Sequence, residues 1–266
     1  MSQVLTHVGS TRAVSVVRIL LPLLVWTELG KLLRLVESLG VPWKVPLSFA
    51  VGVSSLAMLL GWHARLASLA TGASVLGCWW LLGEVGGDID FVRHHVYALG
   101  IATVWLSLTP CGGSFSVDRA LATRRGQPTE ETGDLWATLL IRMQVVAIYL
   151  FAAYDKTDGV FGAHYEQAMR AHLFGSDRLP QTVLDALHTV AYASVALEWL
   201  LPLALLWRPT RSVALIAGVG FHFLVYWTLS VGTFSSTMVV LYLAFVDPQV
   251  VHRWVGFALG EPSPRS

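Results

Sequence analysis

Apolar residues run through the chain in stretches of about 20, separated by short clusters of proline, glycine and charge. That is the length a helix needs to cross about 30 Å of hydrocarbon. Taking apolar length for the spans and the clusters for their ends predicts helices at 14–36, 45–62, 65–85, 91–110, 135–155, 183–207, 211–231 and 234–247. The second and last are short, so the expected count is seven or eight. The predicted fold is all-α: a polytopic transmembrane helical bundle over 14–247, with cytoplasmic segments at 1–13 and 248–266. Residues 1–13 lack the short apolar core and small-residue cleavage site of a secretory signal, so the first run is expected to stay as a helix. Of the two longer connections, 111–134 carries glycine and charge. In 156–182, Phe161, Tyr165, Ala168, Met169, His172 and Leu173 recur at the spacing of an amphipathic helix, lying in the membrane interface or on a plain surface.

Composition turns this pattern into a solvent requirement. Hydrophobic residues make up 55% and charged residues only 13%, half the soluble norm, so lipid must cover most of the surface. A net charge of +1 and a pI of about 7.9 provide no basic stripe, which removes nucleic acid as a partner. Cys78 and Cys111 fall near opposite ends of neighbouring spans, beyond disulfide reach, and are read as packing residues. With eight spans, ten arginines (12, 18, 65, 119, 124, 125, 208, 211, 253 and 265) lie on one side, against Lys31, Arg34, Lys44, Arg93, Lys156, Arg170 and Arg178 on the other. The positive-inside rule then places both termini in the cytoplasm and Lys156 on the outer side.

Charges inside spans are costly and mark function or a buried partner. Arg142 and Gln144 lie in the fifth predicted span, Glu198 in the sixth, His222 in the seventh and Glu28 in the first, with His94 and His95 near the outer end of the fourth. Counted from the inner ends of their spans, Arg142 and Glu198 come to similar depths, so an ion pair between them is expected, serving packing or chemistry. Glu28 has Lys31 at i+3 as a local partner. His222, alone on an apolar face, is either a hydrogen-bonded core residue or a ligand contact. His94 and His95 project about 100° apart and cannot readily share a metal. With no HxxxH, HExxH or CxxC pattern, no metal site is expected. Lys156 closes the fifth span, where it either snorkels to water or, partly desolvated, acts as a base.

These residues fall into a recognisable order. Ile141-Arg142-Met143-Gln144 leading into Tyr149-Leu150-Phe151-Ala152-Ala153-Tyr154-Asp155-Lys156 resembles the stretch of the vitamin K-dependent γ-carboxylase family that ends on a lysine. His95-Val96-Tyr97-Ala98-Leu99 and Ser116-Val117-Asp118-Arg119 are similar to its His-x-Tyr-Leu and Ser-Leu-Asp elements. Glu198-Trp199-Leu200-Leu201-Pro202, Phe221-His222 and Val231-Gly232-Thr233-Phe234 resemble segments further along. The resemblance covers 14–247 and points to the bacterial, short form of the family, the horizontally transferred transmembrane domain. It implies reduced vitamin K or menaquinol as cofactor, Lys156 as the base that deprotonates it, His95 bonding a quinol or oxyanion and His222 positioning the ring. Arg142, Gln144, Tyr149, Glu198, His94 and Tyr97 would line the binding site.

Asp155 and Thr157 stand where the carboxylase has lysine and leucine, and the chain ends about twenty residues past its last span. Glutamate carboxylation of a protein is therefore not the expected reaction, and a partner protein is expected to supply any substrate-binding domain. The leading expectation is a multi-pass bacterial inner-membrane enzyme that acts with or on a quinone or other isoprenoid, its site facing outward. The alternatives are a non-catalytic accessory protein for maturation or export of a secreted peptide, and an acid–base enzyme on another isoprenoid.

Overall fold

The computed structural model describes residues 8–39, 44–88, 91, 94–157, 180–229 and 232–261. Among them the helices are α1 (Arg12–Leu39), α2 (Lys44–Leu60), α3 (Ala64–Cys78), α4 (His94–Ser107), α5 (Val117–Arg124), α6 (Thr138–Asp155), α7 (Gln181–Leu206), α8 (Arg211–Leu229), α9 (Gly232–Leu241) and α10 (Pro248–Ala258); all but α5 and α10, which fall in the connection 111–134 and the segment 248–266, coincide with predicted apolar runs. A π-helical turn, Trp79–Glu84, continues α3, and a 3-10 turn, Tyr242–Ala244, continues α9. The proposed in-plane helix around Phe161–Leu173 falls outside the described residues. So does any Glu28–Lys31 contact.

Among the described residues, four helices are long and apolar enough to cross a membrane: Ala64–Glu84, Thr138–Asp155, Gln181–Leu206 and Arg211–Thr228. Taking Gly232–Ala244 with Pro248–Ala258 as one broken span makes five. The chain is thus a multi-pass helical membrane protein, with fewer clear spans than the seven or eight expected. At 1.5 Å per residue the 14 residues of α4 reach only about 21 Å, and the 10 of α9 about 15 Å. The all-α expectation also missed a two-stranded antiparallel ribbon, in which β1 (Val8–Ser10) pairs with β2 (Thr132–Asp134). Three-residue strands are too short to show a two-residue period.

The chain divides into two compact units, Met1–Ile141 with Val246–Ser266 and Arg142–Phe245. In the first, α1 buries Val14, Val17, Leu21, Val25 and Glu28 on one helical stripe and packs on α2, α4 and α10. α3 meets α4 through small residues: a side chain at Gly72 would strike the Gly100 carbonyl, and one at Gly100 would strike Leu76. Such faces let helices associate closely where lipid removes the usual apolar drive. Ser68, Thr71 and Thr103, all buried there, give their hydroxyl protons to the carbonyls four residues back. Cys78 and Cys111 are both buried and free.

Arg18 is the most demanding group in this unit. Its side chain is fully buried and meets carbonyls only: Nε donates to Cys111 O at 2.9 Å, Nη1 to Met58 O and Leu59 O at 2.6 and 2.7 Å, and Nη2 to Phe115 O at 2.6 Å. One guanidinium therefore ties the end of α2 to the 111–115 turn. Gly61, at φ +67°, lies against it; an added Cβ would stand 2.8 Å from Arg18 Nη1 and 2.5 Å from Ser116 Cβ. The Ser116-Val117-Asp118-Arg119 element completes this clasp. Ser116 caps α5 by accepting from Arg119 N, and both Asp118 oxygens accept from His63 N and Ala64 N at 2.8 Å, capping α3. That element is a structural joint.

Arg12 holds the chain's two ends together. It lies 2.6 Å from Glu131 and donates twice at 2.8 Å to Glu261, just past α10, while Ser10 Oγ bonds His252 Nδ1 at 3.0 Å. The hydrogen bonds from Arg12, with its charge, pull the Glu261 carboxyl below the usual carboxylate range. A carboxyl depressed in the fold contributes stability above its unfolded value, and loses it as pH falls through the folded value.

Two outcomes follow. Gly61→Ala and Arg18→Met, read by thermal unfolding in detergent, should each destabilise the fold, Arg18→Met by about 3 kcal/mol or more because several buried carbonyls lose their donor. Hydrogen exchange in α10 should stay slow at neutral pH and rise on acidification below about pH 4. Glu261→Gln should exchange faster at neutral pH and show less of that rise.

Candidate functional site

Within the second unit, α6 carries three polar residues at seven-residue spacing: Arg142, Tyr149 and Lys156. Seven residues is just under two turns, so they share one face in steps of about 10.5 Å. Each is held by a different element. Arg142 Nε donates to Ala244 O at 2.7 Å, with its guanidinium 5.9 Å from the Phe245 ring. The Tyr149 hydroxyl bonds His222 Nε2 at 2.7 Å and also bonds the Tyr242 hydroxyl. Lys156 Nζ donates to Glu198 Oε1 at 2.6 Å.

The expected Arg142–Glu198 pair is therefore corrected: Glu198 takes Lys156, and Arg142 takes a carbonyl. Arg142 enters near the start of α6, where the charges of Arg208 and Arg211 in the α7–α8 turn act on it. Glu198 is eight residues, about 12 Å, back along α7 from that end, and the long lysine stem reaches it from the other end of α6. Gln144, about 200° round the helix from Arg142, lies off the row.

Lys156 follows the last turn of α6, its N–H on Ala152 O at 3.2 Å. The side chain is about one quarter exposed and that of Glu198 only 5%. Trp199, next to Glu198, donates from Nε1 to Thr157 Oγ1 at 3.3 Å, so α7 grips both residues at this end. Asp155, its neighbour in sequence, is exposed. Glu198 Oε2 is buried with no partner among the described residues.

His222 is 1% exposed and surrounded by four rings: Phe221, Phe234, Tyr149 and Tyr242, with centroids 5.4–5.9 Å away. Its Nδ1 and the buried Ser235 hydroxyl have no partner among the described residues. Tyr242 escaped the sequence reading because it sits in a short apolar run at a predicted span end, where tyrosine is common as an interfacial anchor. Gly218, one turn before His222 on α8, makes room for it: a Cβ there would overlap the Tyr242 hydroxyl.

His94, His95 and Tyr97 belong to the other unit. His95 Nε2 lies 3.3 Å from Glu28 Oε1, both largely buried, so Glu28 has a partner beyond its own helix. A cavity of about 20 Å³, room for one water, adjoins Glu28 between Val25, Val51, Val75, Cys78, Phe91 and Val96. His94 is exposed, and the Tyr97 ring lies tilted against Trp79, centroids 5.0 Å apart. No group of three or more His, Cys, Asp or Glu among the described residues is placed to hold a metal ion.

The family model for the HTTM domain matches residues 31–249. The chain belongs to the HTTM domain family. This is the membrane domain of vitamin K-dependent γ-carboxylase, as the motif order suggested. The match takes in the whole polar row of α6 together with His95, Glu198 and His222. No curated protein matches the chain, and no solved structure does.

Gly218→Ala should lower stability by about 1–3 kcal/mol through overpacking against Tyr242. Gly220→Ala, with open space around its Cβ, should be neutral or slightly stabilising in the same thermal assay.

Proposed function

We propose that this HTTM protein is a membrane enzyme acting with a quinol, reduced vitamin K or menaquinol, or on a related isoprenoid, with Lys156 as its base. The observation that carries the reading is the Lys156–Glu198 pair: a lysine in van der Waals reach of solvent at one end of a span, its proton shared with a buried carboxylate. Transfer of that proton from Nζ to Oε1 cancels both charges, which low polarity favours, and leaves Nζ with the lone pair a base needs. The ring oxygens of a quinol fit these two atoms, because Glu198 Oε2 and His222 Nδ1 are buried with no partner among the described residues. When bound, a quinol supplies an acidic hydroxyl and, with oxygen, the oxidising power of an epoxidation. The chain's own part is to accept the proton at Nζ, hold the ring beside His222 and keep water out.

The same reading takes α1, α2, α4 and α9 as spans alongside the four clear ones, giving eight, with both termini cytoplasmic in a bacterial inner membrane and Lys156 facing outward. His95, held by Glu28, bonds a ligand oxygen, with His94 and Tyr97 beside it. A partner protein supplies the acceptor. A second reading, an accessory protein for peptide maturation or export, draws on the same pair: a buried ion pair that merely staples α6 to α7 would look alike.

Purified protein in detergent, given menaquinol or reduced vitamin K under air, should form epoxide. Lys156→Ala should abolish it and Glu198→Gln should reduce it by about 100-fold, both at wild-type folding. Absence of epoxide from folded wild-type protein rejects the quinol reading in favour of the accessory protein or of an enzyme acting on another isoprenoid.

A further inference from the structure

Helix α10 has two apolar sides, and the fold covers one of them. Val251 and Gly256 are buried where the helix packs on α1 and β1. Val250, Trp254 and Phe257 recur at i, i+4 and i+7 on another side, where Trp254 is 63% and Phe257 87% exposed. Phe257 is the most exposed large apolar side chain among the described residues. Arg253, also exposed, flanks this second stripe.

The level of α10 is set by what its two ends touch. At its start, Pro248 and Leu135 both close on Gly9: an added Cβ there would lie 3.5 Å from Pro248 and 2.9 Å from Leu135. Leu135 stands three residues ahead of Thr138, which opens one of the clear spans. At the far end, Glu261 receives two hydrogen bonds from Arg12, the residue that opens α1. Gly256 leaves room for that pair, since a Cβ there would lie 2.9 Å from Glu261 Oε2. Between the two, His252 bonds Ser10. Each end of α10 thus lies level with a point where another helix begins, and the axis runs along that level. Its 11 residues reach about 16 Å, half a hydrocarbon core, with the Asp247 cap at one end and Glu261 just past the other. A crossing orientation would carry one of these carboxylates into lipid.

We infer that α10 is an in-plane anchor that docks on the lipid surface of the protein's own membrane, with Trp254 and Phe257 sunk into the boundary between headgroups and acyl chains and Arg253 on the phosphate of an anionic phospholipid. An aromatic stripe with a cation on its edge suits that boundary: the rings leave water, while the guanidinium keeps both water and phosphate within reach. The segment expected as a cytoplasmic tail therefore begins on the bilayer. The anchor does not rest on the quinol reading.

Spin labels at Phe257→Cys and at Gln249→Cys, one turn before Arg253, test this in lipid nanodiscs. Collisions with oxygen, which concentrates in hydrocarbon, and with a neutral nickel chelate, which stays in water, report the depth of each label. Cys78 and Cys111 are buried, and wild-type protein treated with the label is the blank. The Phe257 label should favour oxygen and lie about 5–10 Å into the boundary, and the Gln249 label should favour nickel. Adding phosphatidylglycerol to discs of phosphatidylcholine should shield the Phe257 label from nickel about fivefold further, the weight of one basic residue near an anionic surface, and Arg253→Gln should remove that gain. Should Phe257→Cys fail to fold, Trp254→Cys carries the label on the same stripe. A stripe label open to nickel overturns the inference and leaves α10 in water. A label shielded from both reagents, with spin–spin broadening, overturns it in favour of a second copy of the chain on this side. Labels that favour oxygen at both positions overturn the in-plane axis. Equal shielding with and without phosphatidylglycerol overturns the anionic headgroup contact.

Discussion

A polar group inside a bilayer must find its partner within the protein, because hydrocarbon offers none. The chain meets this constraint in two distinguishable ways. Arg18, Ser68, Thr71 and Thr103 lie in the first unit with their donors spent on backbone carbonyls. Such groups fix geometry and have nothing left to offer a ligand. In the second unit, Glu198 and His222 each bond through one atom and leave the other buried with no partner among the described residues. Half-satisfied networks are costly to keep, so their persistence in a folded membrane domain argues for use.

The same distinction sorts the family's motifs. Ser116 and Asp118 spend their oxygens capping α5 and α3, and with Arg18 and Gly61 they hold one turn in place. Phe221-His222 and Gly232-Thr233-Phe234, on consecutive helices, meet where the Phe234 ring stands edge-on to His222 at 5.7 Å. A motif order read from the chain alone could not tell a joint from a pocket, since both need polar residues at fixed places.

Helix positions were legible because membrane spans announce themselves by apolar length, and each predicted start or end lies within a few residues of the one observed. Partners were not. Depth counting paired Arg142 with Glu198 since both lie several residues inside their spans, but it ignored the reach of Lys156 and the backbone carbonyl that Ala244 presents. Glu28 also meets His95, on another helix, at 3.3 Å, a partner to which i+3 spacing along its own helix does not point. Tyr242 carried no charge to attract notice, and only the fold turns it toward Tyr149.

The seven-residue row on α6 explains why these contacts act together. A helix with three polar residues on three faces would need three separate polar environments in lipid. Placing Arg142, Tyr149 and Lys156 on one face gathers all of this helix's buried polar groups but Gln144 along a single seam of about 21 Å. The seam is graded: a carbonyl partner at one end, neutral hydroxyls and an imidazole in the middle, and an ion pair at the other end, where solvent begins. Charge therefore sits where water can share its cost, and the neutral hydrogen-bond chain sits where water cannot. That ordering is what a site needs if a proton is to be taken up at Lys156 and a neutral ring held deeper, beside His222. A staple between α6 and α7 would need only the ion pair.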